Sequence, residues 1–237
     1  MSDRTTLILD FLDRAGWSDA ERGTLAGDAS FRRYDRIVKG SRVAVLMDAP
    51  PPQEDVRPFI RIAEHLAEMG YSAPRILARD VENGFLLLED LGDATYTRLL
   101  AKNHDEDHLY GLAIDVLADL HSRRTTLPEG LPPYDEAKLL AEAALLTDWY
   151  CPAIFGRELD PANRVAYLDI WRSLVPLARA LPDTLVLRDF HVDNLMLLPR
   201  DGLAACGLLD FQDAVAGPQA YDPMSLLEDA RRDIDPA

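Results

Sequence analysis

The sequence predicts an α+β fold of two lobes, a small antiparallel sheet followed by a mainly helical half. Three observations carry this reading. Short apolar runs set off by turn residues gather before residue 91. Longer runs with apolar residues three and four apart occupy residues 94–180. Finally, two apolar runs, 185–198 and 206–211, are interrupted by carboxylate and amide groups that a core would not accept unpaired.

In order, residues 3–15 place Leu7, Ile8, Phe11 and Leu12 on one helical stripe that Gly16 ends. Residues 27–34 form a small-residue loop leading into a strand at 35–38. The turn at Lys39, Gly40 and Ser41 then reverses the chain into a second strand at 43–47, so an antiparallel pair is expected. Small residues in the loop let backbone N–H groups approach an anion, and Ser30 adds a hydroxyl; taken alone, an ordinary turn is the plainer reading. Pro50, Pro51 and Pro52 break the sheet. A helix over 54–69 carries Val56, Phe59, Ile60, Ala63, Leu66 and Ala67 inward, with Glu64 beside the stripe, and Gly70 stops it. Residues 84–88 read as a buried strand and 89–93 as an acidic connector. Composition then turns helical, which divides the chain into an N-terminal lobe of residues 1–91 and a C-terminal lobe of residues 92–237.

The second lobe opens with a short helix at about 94–101 and a strong one at 106–122, which ends at His121 in a packing or capping position. Pro128, Pro132 and Pro133 make a loop before a helix at 135–150. Another helix follows at 161–180, where Pro176 is expected to kink or shorten it. Asp222 and Pro223 read as an N-cap and first-turn pair for a last helix reaching about Arg232.

Composition narrows the function. The formal charge of −16 over 237 residues excludes a nucleic-acid-binding surface, which needs basic side chains to neutralise phosphates. No apolar run approaches the roughly 20 residues that span a bilayer, so no membrane partner is expected. The first residues lack the basic and apolar regions of a signal peptide. Cys151 and Cys206 are far apart and suit free thiols, and a cytoplasmic location is the expectation.

The chemistry gathers near the C-terminal end. A strand at 185–187 runs directly into Arg188, Asp189, Phe190 and His191; Asn194 follows Asp189 by five positions, and Asp210 closes the run 207–209. If the two apolar runs pair as a hairpin, these oxygen donors converge. Such a set suits magnesium, which takes few protein oxygens and leaves room for phosphates and water.

Strand, Arg188-Asp189-Phe190-His191, Asn194 and then Leu209-Asp210-Phe211 resemble the catalytic and metal loops of the aminoglycoside phosphotransferase/choline kinase family, which has a protein-kinase-like bilobal fold. The resemblance covers nearly the whole chain in the right order. Gly27-Asp28-Ala29-Ser30-Phe31-Arg32-Arg33-Tyr34, Val45-Leu46-Met47-Asp48-Ala49-Pro50-Pro51 and Leu209-Asp210-Phe211-Gln212-Asp213-Ala214 are similar to its bacterial cell-wall-recycling branch. Members of that branch phosphorylate the anomeric hydroxyl of N-acetylmuramate and N-acetylglucosamine.

The resemblance implies ATP and Mg2+ as cofactors and a small-molecule acceptor, with an amino sugar favoured. It makes Asp189 the base for the acceptor hydroxyl, and Asn194 and Asp210 the magnesium ligands. Asp28, Ala29, Ser30, Phe31, Arg32 and Arg33 would cover the nucleotide phosphates, and Glu89, Asp90 and Leu91 would meet adenine through backbone groups. Arg188, His191 and Glu64 are secondary candidates. Two other readings stay open, an aminoglycoside or choline-type phosphotransferase and a nucleotide-binding pseudokinase.

The chain departs from the family pattern in four places. The third-strand lysine falls near Met47, so Arg32 or Arg33, on opposite faces of the second strand, would supply the charge. Leu187 stands where histidine is frequent, and Gln212 replaces a glycine, which would stiffen the metal loop. Further helices of the second lobe are expected where the chain ends at Ala237.

Overall fold

The computed structural model describes residues 4–27, 31–123, 127–229 and 232. Helix α1 (Arg4–Arg14) leads into β1 (Glu21–Gly27), β2 (Arg33–Lys39) and β3 (Arg42–Asp48). Then come α2 (Arg57–Glu68), β4 (Ile76–Asp80), β5 (Phe85–Glu89), α3 (Tyr96–Leu100) and α4 (Glu106–Ser122). Helices α5 (Glu136–Leu145), α6 (Cys151–Phe155) and α7 (Pro161–Ala178) precede β6 (Asp183–Val186), β7 (Leu195–Leu197), β8 (Cys206–Leu208), β9 (Val215–Pro218) and α8 (Tyr221–Leu227).

The chain forms two compact units. One contains Met1–Val116 and His191–Asp213, the other Leu117–Phe190 and Ala214–Ala237. The lobes expected from composition are a single cut at residue 91, whereas these units cross the chain three times.

In the first unit the sheet runs β1-β2-β3-β5-β4, every pair antiparallel. Side chains alternate across it. Ile37, Ala44, Leu46, Phe85 and Leu87 face a core closed by Ile8, Phe11 and Leu12 of α1 and by Trp17. Burying a side chain such as Phe85 contributes about 1.5–3 kcal/mol, and Phe85 is fully buried with its ring 5.6 Å from that of Phe11. Tyr34, Val45 and Leu88 point the other way and line a cavity. The expected β2–β3 pair forms, and Lys39 pairs with Arg42 around Gly40 and Ser41. Strands β1 and β4 lie at the two edges and carry no clean apolar alternation, which is why the pattern missed them. Gly84, before β5, has φ +72°, and a Cβ there would lie 1.9 Å from the Ala49 carbonyl oxygen, so only glycine fits.

The expected hairpin forms between the end of the first apolar run and the start of the second. β7 pairs with β8, Leu195 opposite Leu208, while β6 pairs with β9 in the second unit. The run at 185–187 therefore does not pair with 207–209.

In the second unit α5 packs on α7. Asp135 caps α5, accepting from the Lys138 N–H at 2.9 Å, and Asp160 caps α7, accepting from Ala162 at 2.8 Å. The helix expected to run regularly to residue 150 widens at Leu146–Tyr150, where the Cys151 N–H reaches back to the Leu146 carbonyl. Pro152 follows with no N–H to give, so the regular ladder cannot continue there. Pro176 lies in the last turn of α7. The last helix is shorter than expected, and Asp222 is no N-cap: α8 starts at Tyr221, and the Asp222 carboxylate is buried and turned elsewhere.

Candidate active site

In the first unit the β7–β8 hairpin brings two of the expected residues together. Asn194 precedes β7 and Asp210 follows β8. The Leu209 N–H donates to the Asn194 carbonyl at 2.9 Å, and the side-chain amide of Asn194 stands 3.5 Å from the Asp210 carboxylate. His191 is buried, and its Nε2 lies 3.2 Å from the Asn194 amide nitrogen. Asp210 has φ +56°, a left-handed conformation that a non-glycine residue adopts at a cost of about 1–3 kcal/mol. Gln212 Nε2 donates to Asp210 Oδ1 at 2.7 Å, so the residue in place of glycine holds the carboxylate directly. Phe211 is buried with its ring 5.0 Å from that of Phe59 on α2, which pins the loop after Asp210.

A cavity of about 330 Å³ opens beside this pair. Leu25, Tyr34, Val45, Leu88 and Met196 give it apolar walls; Glu89, Asp90, Leu91 and Gly92 border it, as do Asn194 and Asp210. The connector's acidic side chains have their own partners. The Glu89 carboxylate meets Arg75 at 3.1 Å and Arg200 at 2.9 Å. Asp90 accepts from the Gly92 N–H at 2.8 Å and pairs with Arg36 at 2.7 Å. Arg36 also reaches Asp93 at 3.0 Å, and its hydrogen bond is the main reason Asp93 stays below the usual carboxylate range. The connector is thus tied down through its side chains and through the Glu89 and Gly92 N–H groups.

Of the phosphate-loop candidates, Asp28, Ala29 and Ser30 lie outside the described residues. The Phe31 N–H donates to Glu54 at 3.1 Å, and its ring is exposed. Arg32 Nη2 stands 3.3 Å from Asp210 Oδ1. Arg33, opposite Asp48 in the sheet, is exposed on the other side of β2. Glu64 is not brought to the cavity: it is on the exposed side of α2 and pairs with Arg79 at 3.0 Å. Met47, at the lysine position, is buried between Tyr34 and Leu86.

In the second unit, β6 ends at Val186 and the chain turns sharply. Arg188 has φ +71° and the Asp189 N–H donates to the Leu187 carbonyl at 3.0 Å, a tight and strained three-residue turn. Asp222 holds it, accepting from the Leu187 N–H at 2.7 Å and the Arg188 N–H at 2.9 Å. Ser225 donates to the Arg188 carbonyl at 3.1 Å. The Arg188 guanidinium meets Glu142 of α5 at 2.7 Å, and Glu142 also accepts from the Tyr134 hydroxyl. Arg188 thereby ties the loop to α5. Burial pushes the Asp222 carboxyl up to about 7 against the pull of its two N–H donors. Asp222 and Glu142 are the residues supporting this turn that motif spacing missed.

The donor set fits magnesium. One carboxylate and one amide, once the amide turns its oxygen outward, match an ion that shares its shell with phosphates and water. Among the described residues no group of three or more His, Cys, Asp or Glu side chains forms a cage.

The family model for the phosphotransferase enzyme family, APH, matches residues 23–237. The chain belongs to this family. Within it, the chain is 44% identical over 218 residues to an N-acetylmuramate/N-acetylglucosamine kinase of Pseudomonas aeruginosa, covering 91% of this chain and 62% of the relative. A protein of the same name from Pseudomonas putida is 40% identical over 223 residues, covering 93% and 63%. The chain thus spans just over six tenths of the length of these curated relatives. Among solved structures, choline kinase LicA from Streptococcus pneumoniae superposes with a TM-score of 0.68 at 12% identity, over 98% of this chain and 76% of that one. The GDP complex of wild-type aminoglycoside 2'-phosphotransferase-IIIa gives 0.66 at 17%, over 96% and 79%. These two likenesses establish the kinase-like α+β fold of this phosphotransferase family member. Among its described residues no helix is long and apolar enough to cross a membrane, and both cysteines are unpaired.

Proposed function

We propose that this phosphotransferase-family chain is an ATP- and magnesium-dependent kinase of an amino sugar, N-acetylmuramate or N-acetylglucosamine, acting in the cytoplasm on the anomeric hydroxyl. The observation that carries the reading is the meeting of a tied-down connector, an apolar slot and the Asn194–Asp210 oxygen pair around one cavity. The relatives' names support the acceptor.

Phosphoryl transfer needs positioning and charge neutralisation more than covalent help. The apolar walls exclude water from the base, and backbone groups of Glu89, Asp90 and Leu91 recognise its edge. Asn194 and Asp210 hold magnesium, which when bound neutralises phosphate charge. Asp189, set by the turn that Asp222 anchors, orients the acceptor hydroxyl and takes its proton.

The test is ADP release with MgATP and a panel of N-acetylglucosamine, N-acetylmuramate, choline and an aminoglycoside. Turnover is expected with the amino sugars, and Asp189→Asn is expected to remove it by at least about 10²-fold, the usual worth of a positioned base. Turnover with choline or the aminoglycoside alone moves the acceptor assignment, and undiminished turnover in Asp189→Asn rejects the base. Nucleotide binding without turnover of any acceptor returns the pseudokinase reading.

A further inference from the structure

We propose that Arg32 takes the place of the missing β3 lysine as the cation for the nucleotide phosphates, and that without nucleotide its guanidinium rests on Asp210. The proposal rests on the kinase reading above and names the residue that completes it.

Met47 cannot carry the charge: it is a buried thioether, 1% exposed. Tyr34 and Arg36 share one side of β2 by strand alternation, and Tyr34 on that side lines the cavity. Arg36 is committed to holding the connector through Asp90, Asp93 and the Gly92 carbonyl, the last at 3.2 Å. Arg33 shares its side of the strand with Ile37, which packs into the α1 core. Arg32, just before β2, reaches Asp210 at the cavity's edge. Its side chain is only 10% exposed, and its Nη2 lies 3.3 Å from the carboxylate assigned to magnesium.

That pairing has a consequence for charge. Asp210 serves a guanidinium and two amides, from Asn194 and Gln212. A divalent cation on the same carboxylate removes most of its attraction for Arg32 and repels the guanidinium. The phosphates are then the anion within Arg32's reach, and a planar fork of donors suits their oxygens better than a point charge would. Asp210 is thereby kept oriented and charge-compensated until nucleotide and metal arrive together.

Binding titrations read this without turnover. Dissociation constants for MgATP and for adenosine are measured by calorimetry on wild type, Arg32→Ala, Arg32→Lys and Arg22→Ala. Arg22, which pairs with Asp35 at 2.6 Å near the sheet edge, serves as the surface control. Arg32→Ala is expected to weaken MgATP roughly 10- to 100-fold, the worth of charge-assisted hydrogen bonds, with adenosine unchanged. Arg32→Lys recovers part of the loss, and Arg22→Ala binds as wild type. Arg32→Ala that binds MgATP within twofold of wild type overturns the proposal, as does equal loss of MgATP and adenosine. A wild-type protein that binds no nucleotide overturns the kinase reading itself.

Discussion

Asp222 accepts two backbone N–H groups from the turn that presents Asp189, and it does so fully buried. Its carboxyl titrates near 7, raised by burial from an ordinary value of 3.8. The native state therefore holds this proton more tightly than the unfolded chain. The stability it contributes is complete below about pH 4 and is lost as pH rises through about 7, at up to about 1.4 kcal/mol per pH unit. Urea midpoints measured from pH 5 to 8 are expected to fall more steeply for wild type than for Asp222→Asn; parallel curves would reject the assignment. From sequence, the Asp-Pro pair looked like a helix cap, since both roles ask for a carboxylate accepting backbone N–H groups and only the partner differs. The meeting of Asn194 and Asp210 was legible because a turn-rich stretch, 199–202, separates the two apolar runs that carry them. The choice between Arg32 and Arg33 was not, because it depends on which side of β2 meets the core.

At the level of elements, α5 reaches the 187–190 turn through one ion pair. Glu142 bridges Arg188 and the fully buried Tyr134, and Gly217 on β9 leaves no room for a side chain, since a Cβ would sit 2.7 Å from the Tyr134 Cβ. Glu142→Ala leaves a half-buried guanidinium without this carboxylate. It is expected to cost about 1–3 kcal/mol, between exposed and buried pairs. Its signature would be faster amide exchange at Leu187, Arg188 and Asp189, with exchange in β2 and β3 unchanged. A variant whose exchange is unaltered at those three amides would show that the pair does not hold the turn. The long amphipathic helices and the β2–β3 hairpin were readable because one face of each is apolar. Edge strands β1 and β4 and the four-residue β9 were not, since pairing rather than patterning makes them strands.

For the whole chain, 41 acidic residues against 25 basic ones leave a charge of −16. Several ion pairs are largely exposed, including Arg57–Asp55 and Arg79–Glu64, and such pairs contribute little. Repulsion among the excess carboxylates therefore outweighs them, and salt screens it. Raising NaCl to about 0.5 M is expected to lift the melting temperature by about 2–4 °C, the shift that about 1 kcal/mol produces at this size. A flat or falling melting curve would instead mean that the ion pairs dominate. Composition located a change from strands to helices near residue 91 but not the compact units, because a short segment far along the chain, residues 191–213, belongs with the first 116.

That return of the chain sets a timetable for synthesis. A ribosome that has delivered the whole five-stranded sheet has delivered only part of the cavity's lining. Asn194, Met196, Leu209 and Asp210 are translated about a hundred residues after Leu91 and Gly92. Until then the nascent sheet carries Tyr34, Val45 and Leu88 without those partners, a surface for chaperones to shield, and the cavity proposed for nucleotide is complete only once the last of these residues has left the exit tunnel.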